Sequence, residues 1–178
     1  ITHGRVILKI VFFTFYYPPD LCAGSFRAIA LSQALSKRMG VGDELHIITT
    51  HPNRYENHRV KADNVETHGN ITVHRISVPS HKSGMVSQAR SFIMYALASY
   101  KLSNNLNPDF FIGTTSRLMT GVLTGVSAHK LGCKYFIDLR DIFSETISDI
   151  FSQKSKLLGF VSKISLSLLE RWLLNKAI

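Results

Sequence analysis

The sequence predicts a single doubly wound α/β domain, a parallel sheet with helices on both faces. Three observations carry this prediction. Short runs rich in β-branched and aromatic residues alternate with longer runs of helical periodicity, glycine or proline punctuates the boundaries, and polar residues collect after each strand-like run. Such alternation requires crossover connections, which are right-handed between parallel strands.

Taken in order, "VILKIVFFTF" at 6–15 reads as a buried strand and "SFRAIALSQALSKRMG" at 25–40 as a helix. Ser25 is the expected N-cap, Ile29, Leu31 and Leu35 recur on the apolar side, and Gly40 ends it. "ELHIITT" at 44–50 gives a second strand, and "NITVHRISVP" at 70–79 a third that alternates its faces until Pro79 stops it. The stretch 51–69 between them is polar and reads as a surface excursion. A helix is expected over 85–106, a fourth strand in "PDFFIGTT" at 108–115, and a helix over 117–131 stopped by Gly132. "KYFIDLRD" at 134–141 supplies the fifth strand, and 154–177 is helical again.

At 178 residues, with 45% hydrophobic and 19% charged, the chain can bury one core and does not promise two. No apolar stretch reaches the roughly 20 residues of a membrane-spanning helix. Lys9 interrupts the first strand, and Glu170 with Arg171 interrupts the last helix. No charged-then-apolar leader is visible, so a cytoplasmic location is expected. Cys22 and Cys133 stand apart from any CxxC pattern and are expected as reduced thiols. The eight histidines show no HxxxH or HExxH spacing, so neither a metal nor another cofactor is expected.

The formal net charge of +9 points to an anionic partner. Nucleic acid is disfavoured, because neither a helix-turn-helix nor cations interleaved with aromatics can be seen. An anionic membrane surface fits better. The stretches 80–101 and 154–176 combine Lys82, Arg90, Lys101, Lys154, Lys156, Lys163, Arg171 and Lys176 with long apolar residues and Trp172. The same pattern also suits two amphipathic helices that pack on the sheet and leave their cations in water.

In open parallel sheets ligands bind beyond the carboxyl ends of the strands, so the segments that follow the strands are the candidates. "YYPPDLCAGSFR" holds one glycine, Gly24, which rules out both the dinucleotide fingerprint and the P-loop. It reads either as a plain turn or as a helix start where Gly24, Ser25 and Arg27 offer amides, a positive dipole end and a guanidinium to an anion. "DFFIGTTSRLMTG" sets Thr114, Thr115, Ser116 and Arg117 at a strand end that opens a helix, as ligand groups or as an ordinary cap. "YFIDLRDIFSE" crowds Asp138, Arg140, Asp141 and Glu145. An internal Asp138–Arg140 pair is one reading; a site that binds hydroxyls or takes up a proton is the other.

Three stretches together resemble the amino-terminal half of family 4 glycosyltransferases of the GT-B fold, in the branch that serves bacterial surface polysaccharide assembly. They are "KIVFFTFYYPPDLCAGSFRAIALSQALSKRMG", "PDFFIGTTSRLMTGVLTGVSAHKLGCKYFIDLRDIFSE" and "LLERWLLNKAI". The resemblance covers nearly the whole chain outside 51–69. It implies a Rossmann-like domain that holds the acceptor and faces a carboxyl-terminal domain that holds a nucleotide-sugar donor. It further implies a retaining transfer without metal, a lipid-linked sugar acceptor, and peripheral attachment at the inner face of the plasma membrane. By this likeness Gly24 and its neighbours lie near the donor phosphates, the segment from Asp138 to Glu145 lines the cleft, and Asp141 takes the catalytic position. Many relatives have His-Asp where this chain has Arg140-Asp141. The donor half lies outside these residues, so the 178 residues alone are expected to transfer nothing. The alternative is a non-catalytic partner subunit of a split enzyme that recruits a donor-binding subunit to the membrane.

Overall fold

A computed structural model of the chain describes residues 7–53, 60–79, 85–115, 118–139 and 156–177. Along them run β1 (Lys9–Phe13), α1 (Ala23–Ser36), β2 (Glu44–Thr50), β3 (Val65–His68), β4 (Ile71–Ile76), α2 (Met85–Leu106), β5 (Phe110–Thr114), α3 (Leu118–Leu131), β6 (Lys134–Asp138) and α4 (Lys156–Lys176). The strands form one sheet in the order β3-β4-β2-β1-β5-β6. All neighbours are parallel except β3, which pairs antiparallel with β4. The chain leaves β1 toward β2 and β4 and returns on the other side as β5 and β6. The direction of winding therefore reverses between β1 and β5, which opens a crevice at their carboxyl ends. The expected doubly wound, Rossmann-like class is what the chain adopts.

Alternation along the strands builds two cores. Ile10, Phe12, Leu45, Ile47, Ile71 and Val73 face α1 and bury Ala28, with Ile29, Leu31 and Leu35 packed beside it. Val11, Phe13, Ile48 and Phe111 face the other way, toward Phe92 and Tyr95 of α2, Leu123 of α3 and Leu173 of α4. Phe13 stacks on Phe111 with centroids 5.6 Å apart, and Phe15 meets Tyr95 edge-on at 5.2 Å. Each such pair adds about 0.5–1.5 kcal/mol beyond burial. The Tyr95 hydroxyl donates to the carbonyls of Ile48 (2.8 Å) and Thr14 (3.1 Å), tying α2 to the ends of β1 and β2. Burial pushes that phenol far above its ordinary range, so it stays a donor.

The sequence and the structure differ in four places. The excursion 51–69 contains β3, which turns back on β4 through Gly69 and Asn70, with Gly69 at φ 63°. A glycine at the first loop position is what a two-residue hairpin of this type asks for. Helix α1 begins at Ala23, two residues early, so Ser25 is not its cap; Cys22 holds that place and makes no side-chain capping bond. The helix closes before Gly40, where the buried Asp43 carboxylate accepts from the amides of Gly40 (2.7 Å) and Leu8 (3.0 Å). The fifth strand ends at Asp138 with Leu139 beyond it, and the Arg140 and Asp141 expected in it lie outside the described residues. Glycine does stop α3: Gly132 has φ 68°.

On the α2 face of the sheet His46 Nδ1 lies 3.1 Å from His74 Nε2, and His46 Nε2 lies 3.0 Å from Glu44 Oε2. Burial, and then the neighbouring His46, hold the His74 imidazole below its ordinary value of 6.5. Bonds from His46 and Lys9 hold Glu44 below 4.5. The folded chain thus favours neutral His74, and the unfolded chain takes up more protons once the pH falls below 6.5. Stability contributed by His74 is full above that pH and drains as the pH falls; Glu44 extends the loss below 4.5. Urea midpoints should drop between about pH 7 and about pH 5, and His74→Gln should flatten the decline. An equally steep decline in the variant would clear His74 of the effect.

Candidate functional site

The strand ends at the switch point are polar and held by backbone. The Phe15 carbonyl, just beyond β1, accepts from the hydroxyls of Thr50 (2.7 Å) and Thr49 (3.3 Å). The Tyr17 hydroxyl and Ser32 Oγ are 3.0 Å apart, which pins the loop to α1. Arg75 of β4 donates through Nη2 to the Pro18 carbonyl at 2.6 Å, and the Asn53 amide donates to Asp20 at 3.2 Å. The Pro-Pro segment is therefore fastened from two other strands before it enters α1.

Gly24 lies inside the first turn of α1 and does not have a positive φ, unlike Gly42, Gly69 and Gly132. Of the two readings, plain turn or helix start, that placement agrees with the helix start. Ser25 is fully buried, and its Oγ has no hydrogen-bond partner among the protein groups described. The first helical bond runs from the Phe26 amide to the Cys22 carbonyl at 3.1 Å, so the preceding amides of the first turn have no carbonyl within the helix to bond.

Arg27 projects from the next position on the same side as Gly24. Its guanidinium grips Asp138, at the end of β6, with two parallel bonds: Nε to Oδ2 at 2.7 Å and Nη2 to Oδ1 at 2.5 Å. The Arg27 side chain is 57% exposed and that of Asp138 only 10%, so the carboxylate sits in the wall and the guanidinium covers it from the solvent side. A cation in the first turns of a helix is disfavoured by the macrodipole, and Asp138 offsets this. The Asp138 carbonyl in turn accepts from the Thr115 amide (3.1 Å) and hydroxyl (3.3 Å). Thr114 is paired in register with Asp138, and both threonines are buried.

The structure thus brings Arg27, Thr114, Thr115 and Asp138 together, with Gly24 and Ser25 one turn away. Within the described residues the partner of the Asp138 carboxylate is Arg27, and the Asp138–Arg140 reading rests on a residue outside them. Ser116, Arg117, Arg140, Asp141 and Glu145 lie outside the described residues. Sequence reasoning missed Arg75 as the anchor of the Pro18 loop. The available signal was its inward position in the alternation Ile71, Val73, Arg75.

A bidentate pair of this kind is neutral overall. The two carboxylate oxygens accept two bonds of about four possible, and the guanidinium keeps unused N–H groups on its outer edge. Donors and acceptors lie side by side, an arrangement suited to hydroxyl groups more than to a bare anion.

No family model matches the sequence, and no curated protein matches it. Among solved structures the chain is similar to the crystal structure of Glycyrrhiza uralensis UGT73P12 complexed with glycyrrhetinic acid 3-O-monoglucuronide. The identity is 14% and the TM-score 0.48. The match covers 80% of this chain and spans 30% of that one.

Proposed function

We propose that this chain is the acceptor-binding, amino-terminal domain of a nucleotide-sugar-dependent glycosyltransferase in bacterial cell-surface polysaccharide synthesis. The observation that carries the reading is the Arg27–Asp138 pair at the carboxyl edge of the sheet, which offers donors and acceptors without net charge. Sugar hydroxyls need that combination. The family resemblance of the sequence supplies the rest: a lipid-linked acceptor, a retaining outcome, a donor held by a further domain, and no metal. Asp141 stands in the catalytic position by that likeness, three residues beyond Asp138. Ser116, Arg117, Arg140 and Glu145 join the substrate-binding groups on the same ground. The protein works peripherally on the cytoplasmic face of the plasma membrane.

Incubating the full-length protein with a panel of labelled nucleotide-sugars and a membrane lipid extract is expected to yield a glycosylated lipid. Asp138→Asn, which breaks a charged pair, should slow that transfer at least about tenfold while the melting temperature holds. Full activity in the variant, or no product from the unaltered protein with any donor, rejects the reading. The 178 residues alone should give no product.

A further inference from the structure

We propose that the outer face of α2, continued by α4, is the surface on which the protein lies against an anionic lipid bilayer. Besides the small or neutral polar Gln88, Ala89 and Asn105, the positions turned to solvent along α2 include Arg90, Ile93, Met94, Leu97 and Lys101. Their spacing of three and four residues makes one continuous stripe, apolar in the middle and cationic at both ends. Leu97 is 67% exposed and Ile93 56%. The opposite side of the helix is committed to the core through Phe92, Tyr95 and Ser99. The stripe is therefore surplus to folding.

The neighbouring helices extend it. α2, α3 and α4 all contribute to the same core, with α3 packed between the other two. On α4, Ile164, Leu168 and Arg171 face outward in the same alternation of apolar and basic groups, with Leu168 60% exposed. Neither α2 nor α3 contains an acidic residue, and α4 contains only Glu170. On the other side of the sheet α1 turns out Phe26, Ala30, Gln33 and Ala34, with Lys37 just beyond its end and Arg27 engaged by Asp138. Phe26 is the one large apolar residue exposed along α1, against Ile93, Met94 and Leu97 on α2.

The charge pattern selects the partner. A protein interface of ordinary kind is depleted in Lys and enriched in aromatic anchors; the α2 stripe has no aromatic residue and a cation at each end. A bilayer surface wants long apolar side chains at acyl depth and Lys or Arg at the headgroups. At about 1.5 Å per residue, α2 is roughly 33 Å long and lies flat. Phe92 stacks on Phe15 just past β1, so α2 borders the end of the sheet that carries the Arg27–Asp138 pair. A bilayer under α2 runs beside that edge. This deepens the proposed function by naming the lipid-facing side, and it rests on that function only for its purpose.

The test is flotation of the purified chain with vesicles of phosphatidylcholine and phosphatidylglycerol, and with phosphatidylcholine alone. Binding to the anionic vesicles is expected, and binding at least tenfold weaker to the neutral ones. Arg90→Gln with Lys101→Gln should weaken anionic binding roughly thirtyfold, at about 1 kcal/mol for each cation and about tenfold per 1.4 kcal/mol. Ile93→Ser with Leu97→Ser should weaken it about tenfold or more. Gln33→Glu on α1 should leave it unchanged, and all variants should keep the melting temperature. No flotation by the unaltered chain overturns the proposal, as does flotation of both double variants equal to that of the unaltered chain. A dimer in solution that Ile93→Ser with Leu97→Ser dissolves, without vesicle binding, assigns the stripe to a second copy instead. The assay reads no sugar transfer, so this inference and the proposed function fail separately.

Discussion

Gly113→Ala is expected to destabilise the fold by about 3 kcal/mol, at the upper end of what overpacking a core costs. Gly113 is the fourth residue of β5, paired with Phe13 on one side and Ile137 on the other. A Cβ built there would overlap Thr124 Oγ1 of α3 and come within 2.9 Å of the Thr124 Cβ. Neither side can yield easily. The strand is fixed by pairing on both edges, and the buried Thr124 hydroxyl donates to the Thr120 carbonyl at 2.8 Å. Thr124→Ala removes the overlapping oxygen but leaves its Cβ in place, so in the double variant it should restore part of the loss. Urea denaturation of the four chains checks this. A single variant within about 0.5 kcal/mol of the unaltered chain would mean that α3 sits farther from β5 than described.

The second large effect is at Glu66. Its Oε1 lies 3.0 Å from Arg75 Nη1, and the Arg75 side chain is only 2% exposed. Among the described residues Nε and Nη1 of Arg75 have no aligned hydrogen-bond acceptor, and Glu66 is the carboxylate there that balances this buried cation. Removing one partner of a fully buried pair costs about 3–5 kcal/mol. Glu66 itself is 28% exposed, which leaves room for water to compensate in part. Glu66→Ala should therefore cost about 2 kcal/mol. Glu66→Gln should cost less, because the amide oxygen still accepts. In an Arg75→Met chain the same Glu66→Ala change should be close to neutral, and a full loss there would show that the two residues do not act as a pair.

The parts of this fold that can be read from sequence are those whose signal is local and periodic. α2 spans the expected 85–106 because its apolar recurrence is long and its neighbours are Gly84 and Pro108. β3 escaped because "VETH" has neither alternation nor hydrophobicity of its own; it exists by pairing with β4. The start of α1 was misplaced for a similar reason. Ser25 looks like a cap in isolation, yet packing beneath the sheet buries it and the helix begins two residues before. The site is the extreme case. For Asp138 the sequence offers its near neighbour Arg140 or a ligand as partner, and the folded chain adds Arg27 from 111 residues away. A contact across that sequence separation is visible only once the winding order sets β5 and β6 beside β1, on the strand-end side from which α1 starts.

At its far rim the sheet thins to the four residues of β3, with Glu66 and His68 on one of its sides. So brief and charged a border offers an incoming strand few rungs to bind. Concentrated solutions of the protein should accordingly resist filamentous growth from that rim, since each added molecule would first have to peel the hairpin away.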